Sequence, residues 1–324
     1  MERTDPAVQL ERFTIPADYD GIFRQRILII TGVGRSGTTI LGKVIGSLRP
    51  TFYLFEPALM QLIPFLNACA ESSERVYSLL LQSLLFEDYF LQVIHGRSLN
   101  FNVQDDSYIG NYVLQSDIER RWKNLARRGD VLVYLKNEHP LFVIKTPEFQ
   151  PLCSVAQQAF SQPRFIHIIR DGSDVVSSTV NRGWYTDEYM NTVMIDWVEK
   201  RGDKQNCNIP WYLDSESKEH FPRWNQTTRA TSIWRSLTES GMAFCAENPD
   251  HCFQFKYEDF IRSPASFVMQ FEEVFGLEAT EITKHHLDSI KSHGLSQYPS
   301  ICKDVEEPER DKFVSLMTRL GYLV

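Results

Sequence analysis

The 324-residue chain is 43% hydrophobic and 23% charged, an ordinary globular composition, with no repeat or low-complexity run to indicate a fibrous or disordered protein. With 34 Lys and Arg against 42 Asp and Glu, the formal charge is −8, which argues against nonspecific nucleic-acid binding and requires any anionic ligand to be held by a local basic cluster. No segment is apolar over the length of a membrane span, the first stretch MERTDPAVQLERFTIPADYDG is charged throughout, and the six cysteines form no C-x-x-C pair. Together these features predict a cytoplasmic protein with reduced thiols and no zinc site.

The first predicted elements organise the rest. Residues 27–30, ILII, make a β-rich run of the kind buried on both faces of a parallel sheet, and the run ends in the glycine turn TGVGRSGTT. Gly32, Gly34 and Gly37 admit close backbone approach, and helical spacing resumes at Thr38 through Ile40, Leu41, Val44, Ile45 and Leu48. Strand, glycine loop and helix N-terminus form a phosphate cradle, because unpaired backbone N–H groups and the positive helix end converge there. The spacing nearly fits the triphosphate loop G-x-x-x-x-G-K-[ST], with Gly32, Gly37 and Thr39 in register, but Thr38 stands where the lysine would reach the β- and γ-phosphates. Arg35 places a cation inside the loop instead, beside the hydroxyls of Ser36, Thr38 and Thr39, a set suited to a smaller anion than a triphosphate chain. A glycine turn kept for packing alone is the structural alternative.

The segment TFYLFEP predicts a second strand over residues 52–55, with Glu56 at its carboxyl end and Pro57 opening a helix. Ligands of open α/β sheets bind at that edge, although acids also gather at helix starts for the dipole alone. Residues 58–130 read as mostly helical, with helical periodicity in ALMQLIPFLNACA and RVYSLLLQSLLFEDYFLQVI. SDIERRWKNLARRG predicts a helix running from a capping serine to a terminal glycine, and GRSLNFNVQDDSYIGNY before it reads as a surface loop. A third strand over residues 141–144 delivers Lys145 to the same edge, followed by a helix expected from Pro147 with Glu148 in its first turn. A lysine placed there is either ion-paired with a carboxylate or set beside charge developing on a leaving oxygen. A fourth strand over residues 165–169 leads to Arg170, and a helix opening near Ser173 or Asp174 carries Ser178 eight residues after that arginine. Guanidinium plus hydroxyl suits a second phosphate, whereas His167, inside the strand, reads as a core histidine.

In this order the motifs resemble the sulfotransferase superfamily, whose members use 3′-phosphoadenosine-5′-phosphosulfate (PAPS). The loop Arg35-Ser36-Gly37-Thr38-Thr39, with Gly34 before it, resembles the family's first signature and implies binding of the 5′-phosphosulfate. Arg170 and Ser178 resemble the second and imply binding of the 3′-phosphate. FYLFEP is similar to the segment of carbohydrate-type members in which a glutamate follows the strand, and FKYEDF and LMTRLGY extend the likeness over nearly the whole chain. It implies a three-layer α/β fold with a mainly parallel central sheet, a P-loop-like phosphosulfate loop and a helical substrate cover. The cofactor core would lie in residues 25–60 and 140–182 and the cover in 60–130 and 183–225, all within one domain over 1–324. Tyr257 is carried over as a neighbour of the adenine, and Trp234, which shares a helix face with Thr231, falls in the same region.

One departure bears on mechanism. In the cytosolic members that act on phenols and steroids, a histidine base follows the lysine and threonine of the third strand, but here Lys145-Thr146 is followed by Pro147. The glycan- and protein-modifying branches use a glutamate, which makes Glu56 the candidate base and Glu148 its alternative. The implied reaction is in-line transfer of a sulfuryl group from PAPS to an acceptor hydroxyl of a glycan, glycolipid or small metabolite. Glu56 takes the proton in this scheme, Lys145 and Arg35 stabilise the departing oxygens, and no metal is required. A triphosphate-dependent phosphotransferase and a noncatalytic nucleotide-binding scaffold are the alternatives. Between residues 183 and 223, Trp184, Tyr185, Tyr189, Trp197, Trp211 and Tyr212 offer flat faces for a ring-bearing acceptor or for packing. His285, His286 and His293, beside lysines, read as a solvated helix surface and not a metal site.

Overall fold

The computed structural model describes residues 26–58, 60, 62, 83, 94–96, 99–160, 163–192, 198–199, 208–290 and 298–323. Its central element is a five-stranded sheet built from β1 (Ile27–Gly32), β2 (Thr51–Phe55), β3 (Leu141–Lys145), β4 (Arg164–Ile169) and β7 (Cys252–Lys256), in the order β2-β3-β1-β4-β7. Every neighbouring pair in it is parallel. The short β5 (Val198–Glu199) and β6 (Ile209–Pro210) form a separate antiparallel pair. All six residues of β1 and all five of β3 are buried, which is why these runs are apolar without alternation; the edge strand β7 leaves Phe253 and Gln254 exposed.

Helices cover both faces. In chain order they are α1 (Thr38–Gly46), α2 (Gln115–Asn124), α3 (Arg128–Glu138), α4 (Cys153–Ala159), α5 (Gly172–Val180), α6 (Asp187–Thr192), α7 (Ser215–His220), α8 (Gln226–Glu247), α9 (Tyr257–Arg262), α10 (Pro264–Phe275), α11 (Glu281–Ser289), α12 (Tyr298–Asp304) and α13 (Glu309–Arg319). The period-two geometry of a strand sorts β1 between the layers. Ile27 and Ile29 pack with Val131 and Leu135 of α3 and Ala156 of α4, whereas Leu28 and Ile30 pack with Leu41 and Val44 of α1 and Phe260 of α9. A third cluster joins α5, α8 and α13 around Trp234 and Phe313, whose rings meet edge-on at 5.4 Å. The chain leaves β1 toward β2 on one side of the sheet and β4 toward β7 on the other, so the crevice of this topology opens beyond the carboxyl ends of β1 and β4.

Several expectations are corrected. The helix predicted from a capping serine starts after Leu114 with no side-chain cap and stops at Asn124, and Gly129 lies inside the next helix instead of ending this one. Leu125 is buried at the break, so its apolar character mimicked continuing helical periodicity. No helix opens at Pro147: Glu148 is left-handed at φ 59, and helical turns begin only at Gln150. The helix after Arg170 starts at Gly172, one residue early, because the Asp171 carboxylate caps it by accepting from the Ser173 N–H. Cys245 and Cys252 are disulfide-bonded, with Cα atoms 5.0 Å apart where α8 turns back into β7, so the thiols are not all reduced. His286 is buried, its ring nitrogen 2.7 Å from the Asn111 carbonyl, and is no surface residue. Most of the two apolar stretches between residues 58 and 94, as well as Trp197 and His293, lie outside the described residues.

His167 occupies the core position expected of it, 1% exposed in β4 with Nδ1 at 3.3 Å from the Gln254 side-chain oxygen. Burial pulls its imidazole down to about 4. An unfolded chain takes up that proton near pH 6.5, so between the two values the unfolded state binds more protons and stability falls as the pH drops. Urea midpoints are therefore expected to hold above about pH 6.5 and to decline toward pH 4, with a ceiling of ~3 kcal/mol. The acid slope should flatten in His167→Leu, and an unchanged slope would assign the effect to other groups.

Candidate active site

The loop between β1 and α1 is shaped for an anion. Gly37 caps α1 at φ 90 with no side-chain hydrogen bond, and the first turn carries no acidic residue. The helix N-terminus therefore presents its backbone N–H groups without a competing carboxylate. A Cβ on Gly37 would stand 2.3 Å from the Tyr257 ring, so only glycine fits both the backbone angle and the space. Tyr257, at the start of α9, thus closes the loop from the β7 side, and Arg170 sits over the same ring with its Cζ at 5.0 Å.

The two motifs meet through Arg35. Its Nε donates to Ser178 Oγ at 3.0 Å, and its backbone carbonyl accepts from Arg170 Nη1 at 3.0 Å. Arg170 also pairs with Asp174 at 3.4 Å. Burial lowers the Arg35 pKa, and the charges of Arg182 and Arg170 lower it further. Like charges crowded in this way leave a local positive field that an anion relieves.

A second group lies where β1, β2 and β3 end. Register pairs Lys145 with both Ile30 and Phe55, so its side chain emerges between the loop and Glu56. Lys145 is 2% exposed; its Nζ contacts the Glu56 carboxylate, donates to Thr39 Oγ1 at 3.0 Å and lies 4.1 Å from the Phe55 ring centroid. Burial lowers the ammonium's pKa while Glu56 opposes the shift. Both sequence-based roles of the lysine are thus compatible with one position: paired with a carboxylate and beside the anion loop.

A cleft of about 320 Å³ opens over these groups, lined among others by Arg35, Thr39, Glu56, Lys145 and Glu148. Its aromatic wall is Trp184, Tyr185 and Tyr189, with Trp184 and Tyr189 stacked at 6.2 Å and Tyr185 donating its hydroxyl to Glu148 at 3.4 Å. Four lining residues other than glycine, Arg35, Glu56, Glu148 and Tyr185, have positive φ between 47° and 71°. Such angles cost L-residues about 1 kcal/mol or more each and gather at sites where geometry is over-determined. Trp211 and Tyr212 do not line this cleft and pack instead on the flanking cores. Among the described residues no group of three or more His, Cys, Asp or Glu is placed to hold a metal ion.

The description "Sulfotransferase family" matches the chain over residues 28–281, from β1 through the start of α11. The chain belongs to the sulfotransferase family. Solved structures similar to this sulfotransferase include the sulfotransferase domain from the Synechococcus PCC 7002 olefin synthase, at 16% identity and a TM-score of 0.46, covering 92% of this chain and 95% of that one. Another is the sulfotransferase domain from the curacin biosynthetic pathway, at 14% identity and a TM-score of 0.47, with 92% and 98% covered. A third is sulfotransferase STF1 from Mycobacterium tuberculosis H37Rv, at 14% identity and a TM-score of 0.44, with 92% and 79% covered. No curated protein matches the chain. Among the described residues of this sulfotransferase no helix is long and apolar enough to cross a membrane.

Sequence reasoning missed Arg182 of this sulfotransferase, whose charge acts on Arg35 more strongly than that of Arg170. It lies in the turn just past the end of α5, four residues after Ser178, and a basic residue so close to the second motif was the available signal. Trp234 does not line the cleft. It is 1% exposed in the cluster around Phe313, and Thr231 on the same helix donates back to the Thr227 carbonyl at 2.8 Å.

Proposed function

We propose that the protein is a PAPS-dependent O-sulfotransferase of the carbohydrate-type branch, a single domain acting on a hydroxyl of a glycan, glycolipid or small metabolite. The observation that carries this reading is the double use of Arg35, which donates to Ser178 and accepts from Arg170 while lying inside the glycine loop. Two anion-binding clusters one side chain apart fit a nucleotide that bears phosphates at both its 5′ and 3′ ends. The uncapped N-terminus of α1 and the hydroxyls of Ser36, Thr38 and Thr39 would hold the 5′ group, Arg170, Ser178 and Arg182 the 3′ group, and Tyr257 would lie beside the adenine. When bound, PAPS supplies the sulfuryl group and its leaving phosphate.

The remaining steps belong to the chain's own residues. Glu56, half exposed at the cleft, accepts the proton of the acceptor hydroxyl. Lys145 and Arg35 place positive charge where the departing oxygen gains negative charge, with Lys145 fixed by Thr39. The stacked Trp184 and Tyr189 offer an apolar face to a sugar ring or another flat acceptor.

Calorimetric titration with adenosine 3′,5′-bisphosphate, set against ADP with magnesium, tests this reading. The bisphosphate is expected to bind preferentially and to weaken ~10–100-fold in Arg170→Ala, the loss of one charge-assisted phosphate contact. Preference for ADP with magnesium would point to a phosphotransferase, and binding of neither to a scaffold.

A further inference from the structure

The amino end of the sheet carries another polar cavity, of about 250 Å³. Thr51 lines it at the start of β2, and Glu56 follows the other end of that strand, so the strand's length, roughly 16 Å, separates this cavity from the cleft. Inside it, Asp117 is buried between Arg49 and Arg120 and answers two guanidiniums with one carboxylate. Arg121, the next residue of α2, is partly buried, has no hydrogen-bond or ion-pair acceptor among the described residues, and stacks on the Phe52 ring at 4.6 Å. Burial pulls its pKa down to about 10. The Thr51 hydroxyl beside it in the cavity is buried without a hydrogen-bond partner. Glu138 and Glu278 also line the cavity, but both are exposed, where solvent and salt screen their charge.

A guanidinium carries five donors, and buried polar groups left without partners in a folded protein call for a ligand, ion or water. We propose that this cavity is a second anion site, in which the Arg121 fork, flanked by Arg49 and Arg120, takes one oxyanion group of the sulfate, phosphate or carboxylate type. The planar fork suits two parallel hydrogen bonds to such a group.

The test uses the full chain saturated with adenosine 3′,5′-bisphosphate, titrated calorimetrically with sodium sulfate, phosphate or acetate at constant ionic strength. One further equivalent of at least one anion is expected, weakened tenfold or more in Arg121→Gln and partly restored in Arg121→Lys. A response to acetate alone identifies a carboxylate ligand, and a response to sulfate or phosphate a tetrahedral one. If Arg121→Gln does not fold, Arg120→Gln at the exposed neighbouring position is expected to weaken the same equivalent severalfold. No further equivalent, or one untouched by these substitutions, overturns the proposal. Failure of the bisphosphate itself to bind would sink the proposed function and leave the Arg121 comparison intact.

Discussion

Glu56→Gln is expected to lower kcat by ~10²–10⁴-fold, the range for loss of a positioned general base. The amide keeps the size of the side chain and can still accept a hydrogen bond from Lys145, so the cleft should keep its shape. What it loses is the capacity to take a proton. Affinity for adenosine 3′,5′-bisphosphate should stay within about threefold, because Glu56 makes none of the proposed phosphate contacts. A glutamate that served only to hold Lys145 would show the opposite split, with weaker nucleotide binding and a modest change in kcat. Glu148→Gln, measured in parallel, separates the two carboxylates of the cleft: if it alone abolishes turnover, the base is Glu148 and the assignment to Glu56 is wrong.

The largest effect on stability is expected at Arg235. This α8 residue donates to Glu309 through Nε at 2.7 Å and Nη2 at 3.0 Å, and the same guanidinium reaches Asp214 at 3.1 Å and Glu239 at 3.0 Å. Glu309, at the start of α13, is 0% exposed, and burial raises its pKa even with Arg235 in place. Arg235→Met leaves that carboxyl buried without its partner, which costs ~3–5 kcal/mol in comparable pairs. The double variant Arg235→Met, Glu309→Leu replaces the pair by apolar groups and should recover most of the loss. Urea unfolding of the two variants decides the matter, and equal destabilisation in both would mean that the ion pair is not what holds α8 to α13.

Strands β2, β3 and β4 and the ligand-facing edge were legible because each is an apolar run closed by one charged residue, Glu56, Lys145 or Arg170, and β1 because its apolar run ends in a glycine turn. A buried parallel sheet tolerates such residues only at its ends. The α/β class and parallel order followed from that alternation of runs and helices. Features set by contacts distant in sequence were not legible. His286 is buried because α11 docks on α1, where Thr283 meets the Ser47 hydroxyl at 2.9 Å, and no local pattern reports that docking. Cys245 and Cys252 come together only because α8 doubles back into β7. Glu148 was misread because Pro147 is a common helix opener, while the chain bends there so that the Glu148 N–H can donate to the Gly32 carbonyl at 2.9 Å.

The left-handed residues around the cleft bear on how this protein can be engineered. Glycine or asparagine at Glu56, Glu148 or Tyr185 would relax the backbone, and a screen that rewards heat resistance alone would tend to collect such replacements. Each would also discard a side chain that lines the cleft. Thermostabilising libraries for this scaffold should hold these positions constant and draw their diversity from exposed faces of the outer helices away from both cavities.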